Sequence, residues 1–324
     1  MGKNQDWFVG VDLGGTKILA VVFDEAYTAL GRAKEKVGRS RDNEAVLEKM
    51  VAVVRDALDD AGATEGKVAA VGIACPGPVD FDNGIVLETP NLGLENFPIR
   101  DRLSAALDVP VFLENDVNAG TYGEYVSGSG RGFRHIVGLF PGTGLGGGLI
   151  LEGRLFRGAT GGAGEIGHMI IQVDGRRCGC GRYGCLEAMA SKTAIAKDLV
   201  ALATTGSAPT VYKKAGSDFA AIKSSVIEKG WREGEPAVVD LLERAARHLG
   251  IGMANCVNIF NPELIIIGGG LVERLGAPYI EMAERAMREH AMARLASIVH
   301  VKQAELGDDS AVIGAAALAR EHLL

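Results

Sequence analysis

The stretch Val9-Gly-Val-Asp-Leu-Gly-Gly-Thr16 and its partial echo Val137-Gly-Leu-Phe-Pro-Gly-Thr143 decide how this chain is read. Each is a short apolar run that closes on a glycine–threonine tip. Apolar residues then lead back, at 18–23 after the first tip and at 148–151 after the second. Apolar run, glycine tip and apolar return make a hairpin. Two such hairpins point to an internal duplication: two related sheet domains facing each other, each offering one backbone loop. With 45 glycines in 324 residues, a coincidence of two glycine hairpins is the alternative reading.

Working outward from the first hairpin, residues 43–61 carry helical apolar spacing (Val46, Leu47, Met50, Val53, Val54, Ala57, Leu58) and Gly62 stops them. Strands are expected at 68–74 and 109–113, the second ending at Glu114-Asn115-Asp116, with a helix through Tyr125. The second hairpin begins with a strand at 135–140. Residues 205–235 read as a polar, irregular surface excursion, 238–259 as a strong amphipathic helix and 264–267 as a buried strand running into Gly268-Gly269-Gly270. Ser310 is placed to cap a closing helix over 311–323.

Hydrophobic residues make up 47% of the chain, enough for a large core, and the length favours two domains. Net charge is −7, with no basic stripe, which speaks against a nucleic-acid partner. No signal-peptide pattern opens the chain and no apolar run reaches bilayer length, so no membrane partner is expected. Five cysteines, three of them clustered, suit a reducing cytoplasm and a metal site better than a disulfide framework.

That cluster is Cys178-Gly-Cys180-Gly-Arg-Tyr-Gly-Cys185, with Gly-Glu-Ile-Gly-His168 just upstream. His168, Cys178, Cys180 and Cys185 supply the four ligands of a closed, structural zinc site; a free thiol patch or a disulfide is the alternative. Cys75 and Cys256 sit in apolar surroundings as small core residues. Asp12, Gly14, Gly15, Thr16 and Lys17 place backbone N–H groups, a hydroxyl and an ammonium at one tip, which suits phosphate oxygens, and Asp12 could position a hydrated Mg²⁺. The same tip also reads as an ordinary turn with a surface lysine. Gly142-Thr-Gly144-Leu-Gly-Gly147 matches a dinucleotide fingerprint, but strand sequence follows where a helix is required, and no Walker A segment occurs. Gly268-Gly269-Gly270 would let an adenine lie against backbone, or simply turn strand into helix. Asp116, just past a buried strand, could accept a proton from a sugar hydroxyl, or could be a helix N-cap.

Together these segments resemble the ROK family of sugar kinases, a branch of the actin-like ATPase superfamily. The resemblance covers nearly the whole chain. The Glu-x-x-His pair followed by Cys-x-Cys-Gly-x-x-Gly-Cys-x-Glu is its most specific part, and the glycine loops are each weak alone. It implies an α/β fold of two actin-like (ribonuclease H-like) domains with an active-site cleft between them: 1–117 plus 309–324 as a small domain, 118–308 as a large one carrying the zinc loop. It implies an ATP-dependent hexokinase, with glucose 6-phosphorylation first and N-acetylglucosamine, N-acetylmannosamine, fructose or several hexoses as alternatives. Asp116 becomes the general base. Asn91, Asn115, Glu165, His168, Glu187 and the turn at Pro76-Gly77 grip the sugar. Asp12 to Lys17, Thr143 and Gly144 face the ATP phosphates, and Gly268 to Gly270 the adenosine. His168 serves both zinc and sugar, one ring nitrogen each. The cofactors are ATP, Mg²⁺ and structural zinc, and a homo-oligomer, dimer or tetramer, is the family habit.

Two other classes fit the sequence less well. Sugar-responsive repressors of this family carry a winged helix-turn-helix ahead of the kinase-like core, and a phosphate hairpin starting at Phe8 leaves no room for it here. A non-catalytic sugar sensor is disfavoured by the intact Asn115-Asp116 pair.

Overall fold

The computed structural model describes residues 6–38, 42–63, 67–89 and 92–323. β1 (Trp7–Leu13) and β2 (Lys17–Phe23) form the first hairpin, with Leu13 opposite Ile18. β3 (Ala29–Lys36) adds an edge whose Lys, Arg and Glu side chains face solvent; with so little apolar alternation it was not foreseen. Helix α1 (Asn43–Asp60) buries all seven apolar residues of its predicted face, and Asp42 caps it by accepting the Glu44 N–H. β4 (Val68–Cys75) then runs parallel to β1. A small antiparallel sheet of β5 (Val79–Asp80), β6 (Ile85–Thr89) and β7 (Leu94–Phe97) follows, then α2 (Ile99–Leu107) and β8 (Val111–Asn115), parallel to β4.

Helix α3 (Asp116–Ser127) leads to the second hairpin, β9 (Ile136–Pro141) and β10 (Leu145–Leu151), edged by β11 (Arg154–Leu155). The helical stretch that follows comprises α4 (Glu187–Ala190), α5 (Lys192–Thr204), α6 (Pro209–Ala215), α7 (Ser224–Arg232) and the long α8 (Pro236–Phe260). β12 (Leu264–Ile267), α9 (Gly270–Leu275), α10 (Ala277–His290), α11 (Ala293–Ala296), β13 (His300–Gln303) and α12 (Ser310–Glu321) complete the chain. The first sheet has the order β3-β2-β1-β4-β8 and the second β11-β10-β9-β12-β13. In both, an antiparallel return strand lies on one side of the opening strand and two parallel strands on the other. The duplication read from two glycine tips is therefore a duplication of whole sheets.

Two expectations are corrected. Residues 205–235 are not an irregular excursion: α6 and α7 occupy most of them, and Val211, Ile222 and Ile227 are buried in the core of the second unit. Their apolar residues are too few per helix for the period to stand out. Ser310 is not the N-cap of α12; Asp309 is, without a side-chain capping bond, and Ser310 donates its hydroxyl to the Gly307 carbonyl instead.

The two sheets meet through a pair of helices. α12 lies on β1 and β4, where Val312, Ile313 and Ala316 pack with Phe8, Val21 and Ala70. Further along, Ala317 and Leu318 pack with Ile136, Ile150, Leu264 and Ile266 of the second sheet. α12 and α3 approach backbone to backbone: a Cβ on Gly314 would stand 1.7 Å from the Ala119 carbonyl oxygen, and one on Gly123 2.0 Å from that of Ser310. A Cβ on Gly72 of β4 would stand 1.9 Å from the Ala315 carbonyl oxygen. Such contacts tolerate no added methyl without moving a helix. Gly72→Ala should therefore lower unfolding free energy by about 3 kcal/mol or more, at the upper end of overpacking costs. Gly142→Ala, where a Cβ meets no atom within 4 Å, should stay within about 1 kcal/mol of the parent. Urea denaturation of both variants checks this; equal effects would mean that α12 does not bear on β4 as described.

Candidate active site

Asn115 ends β8 in an extended conformation and its side-chain oxygen accepts the N–H groups of Val117 and Asn118. That is the N-cap of α3. Asp116 is thus relieved of the capping role that its type would suit; it occupies the first helical position, where Oδ1 accepts the Val117 N–H at 2.9 Å. Burial pushes the Asp116 carboxyl above the ordinary aspartate range, and the Glu165 charge adds to the push against the lowering effect of its N–H donors.

Asp12, near the end of β1, belongs to the same electrostatic cluster. Its carboxyl is pushed up to about 7, first by burial and then by the Asp116 charge, with Lys17 opposing. Lys17 is held at 2.5 Å by Asp308, which precedes α12. Gly14 closes the tip by donating its N–H to the Lys17 carbonyl at 3.0 Å, leaving Gly15 and Thr16 exposed beyond it.

A cleft of about 600 Å³ gathers Gly77, Asn115, Glu165 and His168. The structure adds Gly147 of the second glycine motif, and Asn118, Phe81, Leu87 and the loop 160–163, which the sequence does not mark. Glu165 is mostly exposed, with Oε2 3.9 Å from His168 Nε2. Glu187 lies outside this lining. Its Oε2 accepts the Leu145 N–H at 3.0 Å, fixing the second hairpin tip, and its Oε1 is 3.3 Å from Cys178 Sγ. Gly144 is the residue that permits this, since a Cβ there would stand 2.6 Å from Glu187 Oε2. Asn91 lies outside the described residues.

A second cavity, of about 650 Å³, brings Thr143 of the hairpin tip together with Gly270. Lys192, Phe219, Lys223 and Arg274 also line it, three cations that sequence reading passed over, two of the four residues coming from the segment read as a surface excursion. Gly268 and Gly269 serve packing: a Cβ on the first would meet the Phe140 ring at 2.7 Å, and one on the second the Pro141 carbonyl oxygen at 3.0 Å, where φ is +89°. The N-terminus of α5, capped by Ser191, docks on the hairpin through the Lys192 N–H and the Gly142 carbonyl.

His168, Cys178, Cys180 and Cys185 converge as expected, every ligand atom within 4.8 Å of the others. A tetrahedral ion bonded to sulfur at about 2.3 Å separates its ligands by about 3.7–3.8 Å. The Cys180–Cys185 sulfur gap is 3.7 Å, and so is that from Cys178 Sγ to His168 Nδ1. The same gap is far too long for a disulfide, at about 2.05 Å. The donor set and its spacing fit a metal held by Nδ1 of His168, which leaves Nε2 on the cleft side beside Glu165.

Half-buried carboxyls with raised pKa values predict a sign for stability against pH. The folded chain holds a proton on Asp12 up to about pH 7, whereas the unfolded chain releases it near pH 4. Stability is therefore lost as pH rises through that window. Asp12→Asn should be about 1–3 kcal/mol more stable than the parent at pH 8, with the gain vanishing near pH 4. Thermal melts of nucleotide-free protein at both pH values test it, and a gain present only at low pH would contradict the burial argument.

With this geometry in hand, likeness to known proteins is informative. The ROK family profile matches residues 8–322. A glucokinase of Thermotoga maritima is 34% identical over 316 residues, covering 97% of this chain and 98% of its own. A ROK hexokinase structure from Thermus thermophilus superposes with TM-score 0.83 at 33% identity, covering 98% of this chain and 99% of that one. A ROK family glucokinase from Streptomyces griseus, solved in complex with glucose and AMPPNP, gives TM-score 0.81 at 34% identity, covering 97% and 99%. On a match that runs almost end to end and includes both duplicated sheets, the chain belongs to the ROK family.

Proposed function

We propose that this protein is an ATP-dependent hexokinase that phosphorylates the 6-hydroxyl of glucose. The observation that carries the reading is the placement of Asp116. It is a half-buried carboxylate freed from capping by Asn115 and set one residue from a cleft lined by Gly77, Asn115, Glu165 and His168. Relatives that carry the name glucokinase support glucose as the first choice of hexose.

In this reading Asp116 accepts the sugar hydroxyl proton, a task helped by the raised affinity for protons that burial gives it. Asn115, Glu165 and His168 hold the sugar, and Glu187 acts on the same site from behind the hairpin tip. Phosphoryl transfer asks the protein chiefly for alignment and charge stabilisation. Asp12, Gly14, Gly15, Thr16 and Lys17 of one tip, with Thr143 and Gly144 of the other, face the phosphates. Gly270 lines the cavity that would take the adenosine, and Gly268 and Gly269 shape the turn that leads to it. Mg²⁺, held through Asp12, would supply neutralising charge at the transferred phosphate, and the raised pKa of Asp12 marks a site where a cation relieves repulsion. The four-ligand cluster holds zinc as a structural ion, keeping the loop that carries His168 and Glu187 rigid.

The domain division falls at 117/118 and 308/309, so that α3 and α12 form the seam on which the two units close over the sugar and exclude water. No described helix is long and apolar enough to cross a membrane. We place the enzyme in the cytoplasm, where its cysteines, all free of disulfides, stay reduced, as a homodimer or homotetramer.

Asp116→Asn should retain measurable glucose binding by calorimetry while turnover falls at least ~10²-fold, the scale of a lost general base. Full turnover would remove Asp116 from the role. An ADP-release screen across glucose, N-acetylglucosamine, N-acetylmannosamine, mannose and fructose should give glucose the highest kcat/KM, and release with none of them would sink the hexokinase reading. Chelation, or Cys178→Ala, should strip one zinc per chain by elemental analysis and lower both Tm and glucose affinity. An unchanged Tm in metal-free protein contradicts a structural ion.

A further inference from the structure

We propose that Arg157 is a positioning residue for the sugar cleft: its ion pair with Glu114 straps the loop 157–165 of the second unit onto the first. The proposal rests on the hexokinase reading, because it takes the cleft as the place where sugar is held. Glu114 is the next-to-last residue of β8, immediately before Asn115 and Asp116. It is buried, and both of its oxygens are used. Oε2 accepts from Arg157 Nε at 2.7 Å, and Oε1 accepts from Asn118 Nδ2 and from the Asn115 N–H, each at 3.0 Å. One carboxylate therefore fixes the cap residue of α3, a cleft-lining residue of its first turn, and the incoming loop.

Arg157 reaches the first unit twice. Besides Glu114, its guanidinium lies over the Phe81 ring at 5.8 Å. Gly161 closes on the same ring, at a φ of +81° and so tightly that a Cβ would stand 1.9 Å from Phe81 Cε2. The loop is then turned back by the Ala163 N–H, which donates to the Arg157 carbonyl at 3.0 Å, and Glu165 emerges into the cleft two residues later. Phe81, Thr160, Gly161, Gly162, Ala163 and Glu165 all line the cleft, while Arg157 faces the smaller neighbouring cavity of about 400 Å³. Arg157 thus acts on sugar through the wall that it holds.

Removing one partner of a buried pair leaves the other charge unpaired and is strongly destabilising, whereas removing both charges together leaves no charge stranded. That difference separates positioning from mere stability. Glucose KM, ATP KM, kcat and Tm are to be measured for Arg157→Gln, Arg157→Lys and the double variant Glu114→Gln/Arg157→Gln. The double variant should recover most of the Tm lost by Arg157→Gln, yet keep a glucose KM raised about tenfold, with kcat and ATP KM within about twofold of the parent. Arg157→Lys, which keeps the charge without the planar fork, should fall between parent and Arg157→Gln. If Arg157→Gln does not fold, the double variant decides alone. A glucose KM that returns to the parent value together with Tm would overturn the proposal. If the unaltered chain phosphorylates no hexose, the hexokinase reading fails separately. Amide exchange over 158–163 then judges the strap: faster exchange in the folded double variant upholds it, and unchanged exchange overturns it.

Discussion

The contact of α3 with α12 and with the second hairpin is the constraint from which the site follows. α3 begins where β8 of the first sheet ends and packs against β9 and β10 of the second, so it belongs to both halves. Its neighbours give way at glycines. Gly138 and Gly148 make room for Thr121, Gly146 for Val117, and Gly314 of α12 for Ala119. The glycine run of β10 resembles a nucleotide fingerprint, yet much of its purpose is to let a helix lie close. A helix seated this tightly carries its first turn to a fixed place, and the first turn is where Asn115 and Asp116 stand. Asn115 caps the N–H groups of the helix start, so the aspartate beside it is not the cap and keeps one local bond, from the Val117 N–H.

The metal-ligand loop is a second source of rigidity, and Glu187 is its connection to the rest. The carboxylate is bound at one oxygen by the Leu145 N–H and at the other lies against Cys178, so one side chain ties the hairpin tip to the cysteine cluster. His168 directs Nδ1 to the cysteine cluster and Nε2 toward Glu165 on the cleft side, so one ring joins the cluster to the cleft.

Much of this could be read from the chain, for identifiable reasons. The hairpins, α1 and β12 have dense apolar residues in clear periods, the start of α3 is marked instead by Asn115-Asp116 at a strand end, and their structural bounds fall within a few residues of the expected ones. The cysteine cluster was legible because ligand spacing is a covalent constraint that folding cannot hide. What escaped was of two kinds. β3 and the short β5–β7 sheet carry little periodic signal, and α6 and α7 each bury only two residues. The partners of the site are set by tertiary approach: nothing in sequence joins Arg157 to Glu114, or Phe219, Lys223 and Arg274 to Thr143. A signal for Glu114 did exist, since a carboxylate inside an apolar strand must find a cation or donors when it is buried. Glu187 shows the opposite limit: its motif is conspicuous, but only the fold reveals that it grips a backbone tip.

The account turns on a hexose presenting its terminal alcohol to the carboxylate at the head of α3. A crystal structure of the chain with glucose and a non-hydrolysable ATP analogue measures this directly. The account predicts the sugar O6 within hydrogen-bond reach of Asp116, about 2.6–3.2 Å, and in line with the terminal phosphate. A sugar ordered elsewhere, or one whose O6 faces away from Asp116, would contradict it.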